Sequence, residues 1–76
     1  MNKERRERLE EIHQRLLEIV GEIEEIAGEE EEAYDNLPDG IQDSERGQKM
    51  SDNVDTLYSI LSSMESIDDE IEQVLE

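Results

Sequence analysis

Leu9, Ile12, Leu16, Ile19, Ile23 and Ile26 recur at alternating steps of three and four residues, and this spacing restricts the chain more than any other feature. It places all six side chains along one stripe of an α-helix, the a/d seam of a heptad repeat with Leu9 at a. Continuing the register puts Glu30 at a, Ala33 at d and Leu37 at a, while His13, Val20, Ala27 and Tyr34 fall at e and widen the apolar face. Gly21 and Gly28 both take f, on the outside, where each costs up to about 1 kcal/mol relative to Ala without breaking the helix.

A second stripe follows. Met50, Val54, Leu57, Leu61, Met64, Ile71 and Leu75 hold d, a, d, a, d, d and a, with Asp68 interrupting at an a position and Ile60, Ile67 and Val74 sharing g. Between the stripes, Asn36-Leu37-Pro38-Asp39-Gly40 is the one clear breaker: Pro38 disfavours helical geometry at Leu37, and Asp-Gly supplies a turn. Asp43 or Ser44 can cap the second helix by accepting from a free N–H. The pattern predicts one domain spanning 1–76, with helices over about 3–36 and 44–76, each roughly 50 Å long, around a turn at 37–43. That is an all-α, antiparallel two-helix hairpin. A two-stranded seam needs only a and d. The extra e column in the first helix and g column in the second are more than one partner helix covers, so two hairpins are expected to dimerise into a four-helix bundle.

Charge is the second constraint. The chain is 41% charged, with Tyr34 and Tyr58 its only aromatic residues. Such a composition also suits a disordered chain, and the periodicity decides against disorder. A net charge of −17 repels nucleic acid and anionic lipid. The expected partners are therefore a second copy of the chain and proteins with basic surfaces, with no direct nucleic-acid or membrane binding. The absence of cysteine excludes disulfides and thiolate metal sites and suits an intracellular reducing compartment, the cytoplasm. No apolar run exceeds two residues, so neither a signal peptide nor a membrane span is expected.

From Leu16 to Glu45 there are twelve acidic residues and no Lys or Arg. Within this run Glu18, Glu22, Glu25, Glu29 and Glu32 alternate between c and g, a stripe of like charges that is either a solvated face or a surface for a basic partner. In a hairpin turning near Gly40, facing residue numbers sum to about 80. Lys49 is then the expected neighbour of Glu30, and Arg46 of Glu32. Lys3, Arg5, Arg6, Arg8 and Arg15 are set opposite Asp68, Asp69, Glu70, Glu72 and Glu76, with Glu4/Arg8 and Arg6/Glu10 as local i,i+4 pairs. Thr56 to Met64 carries no charge, the compositional mark of an interface core. Tyr58, Ile60 and Met64 are its candidate contacts, either in the dimer seam or with a different protein.

Candidate chemistry is sparse. Glu10 to His13 gives E-x-x-H, the spacing of two metal ligands on one helix face, but Glu10 is at b and His13 at e, at the seam's margin. No inward glutamate of the second helix completes the set, and Asp68 comes nearest. A calcium loop starting at Asp35 fails, because its third and twelfth positions are Leu37 and Arg46. Ser59, Ser62, Ser63 and Ser66 face away from the seam, phosphate-cradling glycines are absent, and a hairpin has no cleft in which to perturb a carboxylate pair. The expectation is a protein without catalytic residues, metal or cofactor, and not an enzyme.

The acid run followed by Ala33-Tyr34-Asp35-Asn36-Leu37-Pro38 and Ser44-Glu45-Arg46-Gly47 resembles small acidic coiled-coil proteins encoded by phages and prophages of Gram-positive bacteria. These carry a turn of the form N-[LIM]-P-[DE]-x-[LIF]-Q-x-[SG]-E-[RK]. Here it reads Asn36-Leu37-Pro38-Asp39-Gly40-Ile41-Gln42-Asp43-Ser44-Glu45-Arg46, with Gly40 departing at a helix-friendly position. The resemblance implies a phage context and no reaction. Two functional expectations follow. One is a non-enzymatic accessory protein that binds a protein partner through an acidic helical hairpin. The other is a DNA mimic that inhibits a nucleic-acid-binding defence enzyme, such as a CRISPR nuclease or a restriction system.

Overall fold

The computed structural model describes residues 1–76, and it is helical apart from the caps and the turn. Helix α1, Lys3–Asp35, starts where the Asn2 side chain accepts the Arg5 N–H at 2.8 Å, satisfying one of the donors that a helix start leaves free. It ends at the breaker as expected. Pro38 does not lead into a simple Asp-Gly turn, however. Asp39–Gln42 form a single helical turn, α2, in which the Pro38 carbonyl accepts from Ile41 and Gln42 at 2.8 and 3.0 Å. Gly40 therefore needs no left-handed backbone, and no residue in the chain has positive φ. The Gln42 amide donates back to the carbonyls of Tyr34 and Asp35, tying the turn to the open end of α1.

Helix α3, Glu45–Leu75, is capped by Ser44, which settles the choice between Asp43 and Ser44. The Ser44 hydroxyl accepts the Gly47 N–H at 3.3 Å and donates to the Ile41 carbonyl at 2.5 Å. α1 and α3 then lie antiparallel in a rod of 58 × 15 × 14 Å. Arg6 donates to the Leu75 carbonyl, and His13 pairs with Asp68. Both pairs of residue numbers sum to 81, close to the register expected from the turn.

The α3 seam is the predicted a/d column: Met50, Val54, Leu57, Leu61, Met64, Asp68, Ile71 and Leu75 are all partly buried. The α1 seam differs from its prediction. It runs through a and e (Leu9, His13, Leu16, Val20, Ile23, Ala27, Glu30 and Tyr34), whereas Ile12, Ile19 and Ile26 at d are 45–52% exposed. A helix with three adjacent apolar columns and one partner must leave one column out. Choosing e brings His13 to Asp68, which an isoleucine at d would leave without a hydrogen-bonding partner. It also places Ala27, small enough for close approach, in the contact. Only Ala27 and Gly47 are fully buried, so every large apolar side chain keeps some contact with solvent.

Candidate interaction surfaces

At about 100° per residue, the two seams divide the rod into two flanks. A groove of about 320 Å³ is lined by Leu17 and Glu24 from the b column of α1 and by Tyr58 and Glu65 from the e column of α3. Those two columns therefore share one flank. The remaining side columns, d and g of α1 with g and c of α3, share the other.

The Tyr58 flank is acidic. It presents Glu10, Glu24, Glu31, Glu65, Asp69 and Glu72, and Lys3 is its only base. The groove floor is apolar, with Leu17, Val20, Leu61 and Met64 beneath the carboxylates. At its edge the Tyr58 hydroxyl donates to Glu31 Oε2 at 2.6 Å. That hydrogen bond, followed by desolvation and the Glu31 charge, raises the phenol above its ordinary pKa of 10.0.

The opposite flank combines apolar and basic groups. Ile12, Ile19 and Ile26 lie beside Ile60, Ile67 and Val74, all between 40 and 52% exposed. Arg5, Arg8, Arg15, Arg46 and Lys49 border them, five of the chain's seven bases, against Glu22, Glu29 and Glu70. The expected ion pairs are absent. Lys3–Glu7 at 4.0 Å is the only contact between a Lys or Arg and a carboxylate, so Glu4/Arg8, Arg6/Glu10, Arg46/Glu32 and Lys49/Glu30 do not form. Arg5, Arg8 and Arg15 make no ion pair with Asp69 or Glu72, and Arg6 meets the Leu75 backbone carbonyl instead of an acidic side chain.

Of the candidate site residues, Glu18, Glu22, Glu25, Glu29 and Glu32 form a continuous exposed stripe along the back of α1, with no ion pair. The other trio is not brought together. Met64 lies in the seam within the hairpin, and the exposed Tyr58 and Ile60 sit on opposite flanks. His13 is inside the seam, not at its margin. Its Nε2 donates to Asp68 Oδ1 at 2.5 Å and lies 3.8 Å from Glu72 Oε1, while Glu10 of the E-x-x-H motif is on the acidic flank. His13, Asp68 and Glu72 set three ligand atoms within 4.8 Å of one another. Two ligands of one tetrahedral zinc stand about 3.4 Å apart, so the His13–Asp68 contact is closed as a hydrogen bond. Glu24, Glu31 and Glu65 escaped the sequence reading. Their signal was the b and e columns, which become neighbours only once α1 is known to use its a/e seam.

No helix is long and apolar enough to cross a membrane. Comparison with protein-family models, curated proteins and solved structures finds no match.

Proposed function

We propose that this chain is a non-enzymatic interaction protein of the accessory type suggested by its turn motif, binding a basic protein partner through its acidic surface. The observation that carries this reading is the one-sided charge: carboxylates crowd the Tyr58 flank and the α1 back, and five of seven bases are withdrawn to the opposite flank. The groove suits a Lys or Arg side chain of the partner. Its apolar floor of Leu17, Val20, Leu61 and Met64 accepts the aliphatic stem. Glu24 and Glu65 meet the cationic head, and the Tyr58 ring offers a cation–π face. The working form is a pair of hairpins in a four-helix bundle, with the acidic flanks outward.

Binding of a fluorescent arginine-rich peptide tests this. Affinity should fall steeply as salt rises and be lost in a Glu24→Lys/Glu65→Lys variant that retains its helical circular dichroism. Binding that ignores both salt and these reversals sinks the proposal. Reversal of Glu18, Glu25 and Glu32 in a separate variant reports whether the α1 stripe contributes.

A second reading, the DNA mimic, is favoured by charge density. Two copies side by side carry −34 along the 58 Å rod, about one charge per 1.7 Å, the axial density of duplex DNA. Competition decides between the two readings. A mimic's partner is released by duplex DNA, whereas a partner specific to the groove is released by the arginine-rich peptide and not by DNA.

A further inference from the structure

The flank bearing the isoleucines has no partner within the hairpin, and three observations together specify what covers it. First, the chain has no large side chain that is fully buried. It exposes 5764 Å², about 1,000 Å² more than the roughly 4,800 Å² of a compact monomer of its mass. A standard interface removes about 800 Å² per partner, so one such contact would absorb the excess. Second, the flank is the least acidic surface of a chain of net charge −17. It is therefore where a second copy can approach with least repulsion.

Third, the charges bordering the apolar column are arranged for self-recognition. Along the g column of α1 the order is Arg8, Arg15, Glu22, Glu29. A copy running in the opposite direction and centred on Ile19 brings Arg8 to the partner's Glu29 and Arg15 to the partner's Glu22. In the same alignment Ile12 meets the partner's Ile26, and Ile19 meets the partner's Ile19. Along α3 the same operation places Ile60 on the partner's Ile60, the exposed Ile67 on the partner's Asn53, and Lys49 beside the partner's Glu70. One twofold axis thus satisfies both helices, because Ile19 and Ile60 lie at nearly the same height in the register set by His13 and Asp68. The alternative, with both turns at one end, sets α1 against the partner's α3. In the register set by His13 and Asp68 it puts Glu22 at the height of Ser59, inside the uncharged stretch, and Arg15 at the height of Ser66, so the Arg15–Glu22 match is lost.

We infer that a second copy of this chain covers the isoleucine flank with its turn at the opposite end, on a twofold axis passing Ile19 and Ile60. This rests on the reading that hairpins pair, and adds the face and the direction. The resulting bundle would shield both basic borders and display both acidic flanks outward, which accounts for the separation of the bases from the acids.

Because the chain has no cysteine, single introduced thiols report the geometry directly. Ile19→Cys and Ile60→Cys should each cross-link into a covalent dimer under mild oxidation or with a short bis-maleimide. Ile12→Cys and Ile26→Cys should do so only when mixed with each other. An Ile19→Cys protein that stays uncross-linked alone, but links to Ile60→Cys, overturns the direction while leaving the pairing intact. A monomeric mass by sedimentation equilibrium, with helicity retained, overturns the pairing itself. As an independent arm, Arg15→Glu or Glu22→Arg alone should weaken the dimer about tenfold, and the double exchange should restore it. If the double exchange is no better than either single change, the proposed charge register is wrong.

Discussion

Gly47 gives the sharpest test of how the turn is built. It is buried in the first turn of α3, and an added Cβ would lie 2.5 Å from the Ile41 carbonyl oxygen and the Gln42 carbonyl carbon, and closer still to the Gln42 oxygen. These are backbone atoms, so no rotamer change relieves the contact. The α2 turn must retreat by on the order of 1 Å to reach ordinary van der Waals separation, and overpacking of this kind costs about 1–3 kcal/mol. The same movement strains the Ser44 cap, whose Oγ holds the Gly47 N–H and is worth about 1 kcal/mol. It also strains the Gln42 bonds to the end of α1. Against these losses stands a helix-propensity gain of at most about 1 kcal/mol. Gly47→Ala should therefore destabilise by about 2 kcal/mol, lowering Tm by roughly 8–16 °C for a chain of this size.

Gly21, Gly28 and Gly40 supply the internal comparison, since an added Cβ meets nothing within 4 Å at any of them. Ala at each of the α1 positions should stabilise by about 0.5–1 kcal/mol, and the pair should add because seven residues separate them. Gly40→Ala should be neutral or stabilising. All variants are compared by thermal circular dichroism at one protein concentration, because pairing of hairpins would make Tm depend on concentration. A Gly47→Ala protein that melts at or above the parent would refute the close approach of α2 to α3.

Further predictions concern the seam and the Tyr58 flank. Asp68→Ala strips the His13 imidazole of its partner and should cost about 1–3 kcal/mol in urea denaturation, whereas His13→Leu/Asp68→Leu should be neutral or stabilising. Equal losses in both proteins would show that the pair is not the source of the effect. In a Tyr34→Phe background, Tyr58 should titrate above 10.0 by absorbance, and Glu31→Gln should return it towards that value. The hydrogen bond favours the neutral phenol, so its contribution is present below the unfolded pKa and is lost as pH rises through the raised folded one. An unchanged midpoint in Glu31→Gln rejects the Tyr58–Glu31 contact.

The hairpin was legible because both helices repeat their apolar residues every 3.5 positions and Pro38 sits midway. The facing register was legible because a short turn fixes it. The α1 seam was not, since a three-column face is compatible with a/d or a/e contact and periodicity weighs only hydrophobicity. The deciding signal lay in two residues that look like defects when each helix is read alone. Asp68 breaks the α3 column and His13 sits in an otherwise apolar e column, yet their numbers sum to the register value. The ion pairs failed for a related reason. Facing height was read correctly, but height without the angle around each helix cannot say whether Arg46 or Lys49 reaches Glu32 or Glu30.

The seam choice is also what separates the two surfaces. Had α1 used its a/d column, Ile12, Ile19 and Ile26 would have been consumed inside the hairpin, and the apolar surface left over would have been split between Val20, Ala27 and Tyr34 of the α1 e column on one flank and the g column of α3 on the other. With the a/e column inside, the isoleucines of α1 turn to the flank where Ile60, Ile67 and Val74 already stand. Arg8 and Arg15 follow them, because g lies next to d around the helix. The b column, with Glu10, Glu24 and Glu31, turns towards Tyr58, Glu65 and Glu72. A rotation of roughly 50° about the axis of α1, which replaces d by e in the contact, thus converts an evenly acidic rod into one with an apolar, base-bordered side and an acidic side. The His13–Asp68 hydrogen bond is the contact that favours that rotation. The double leucine variant should therefore preserve the hairpin yet loosen the choice between the two seams. Loss of cross-linking through Ile19→Cys, without loss of helicity, is the corresponding readout.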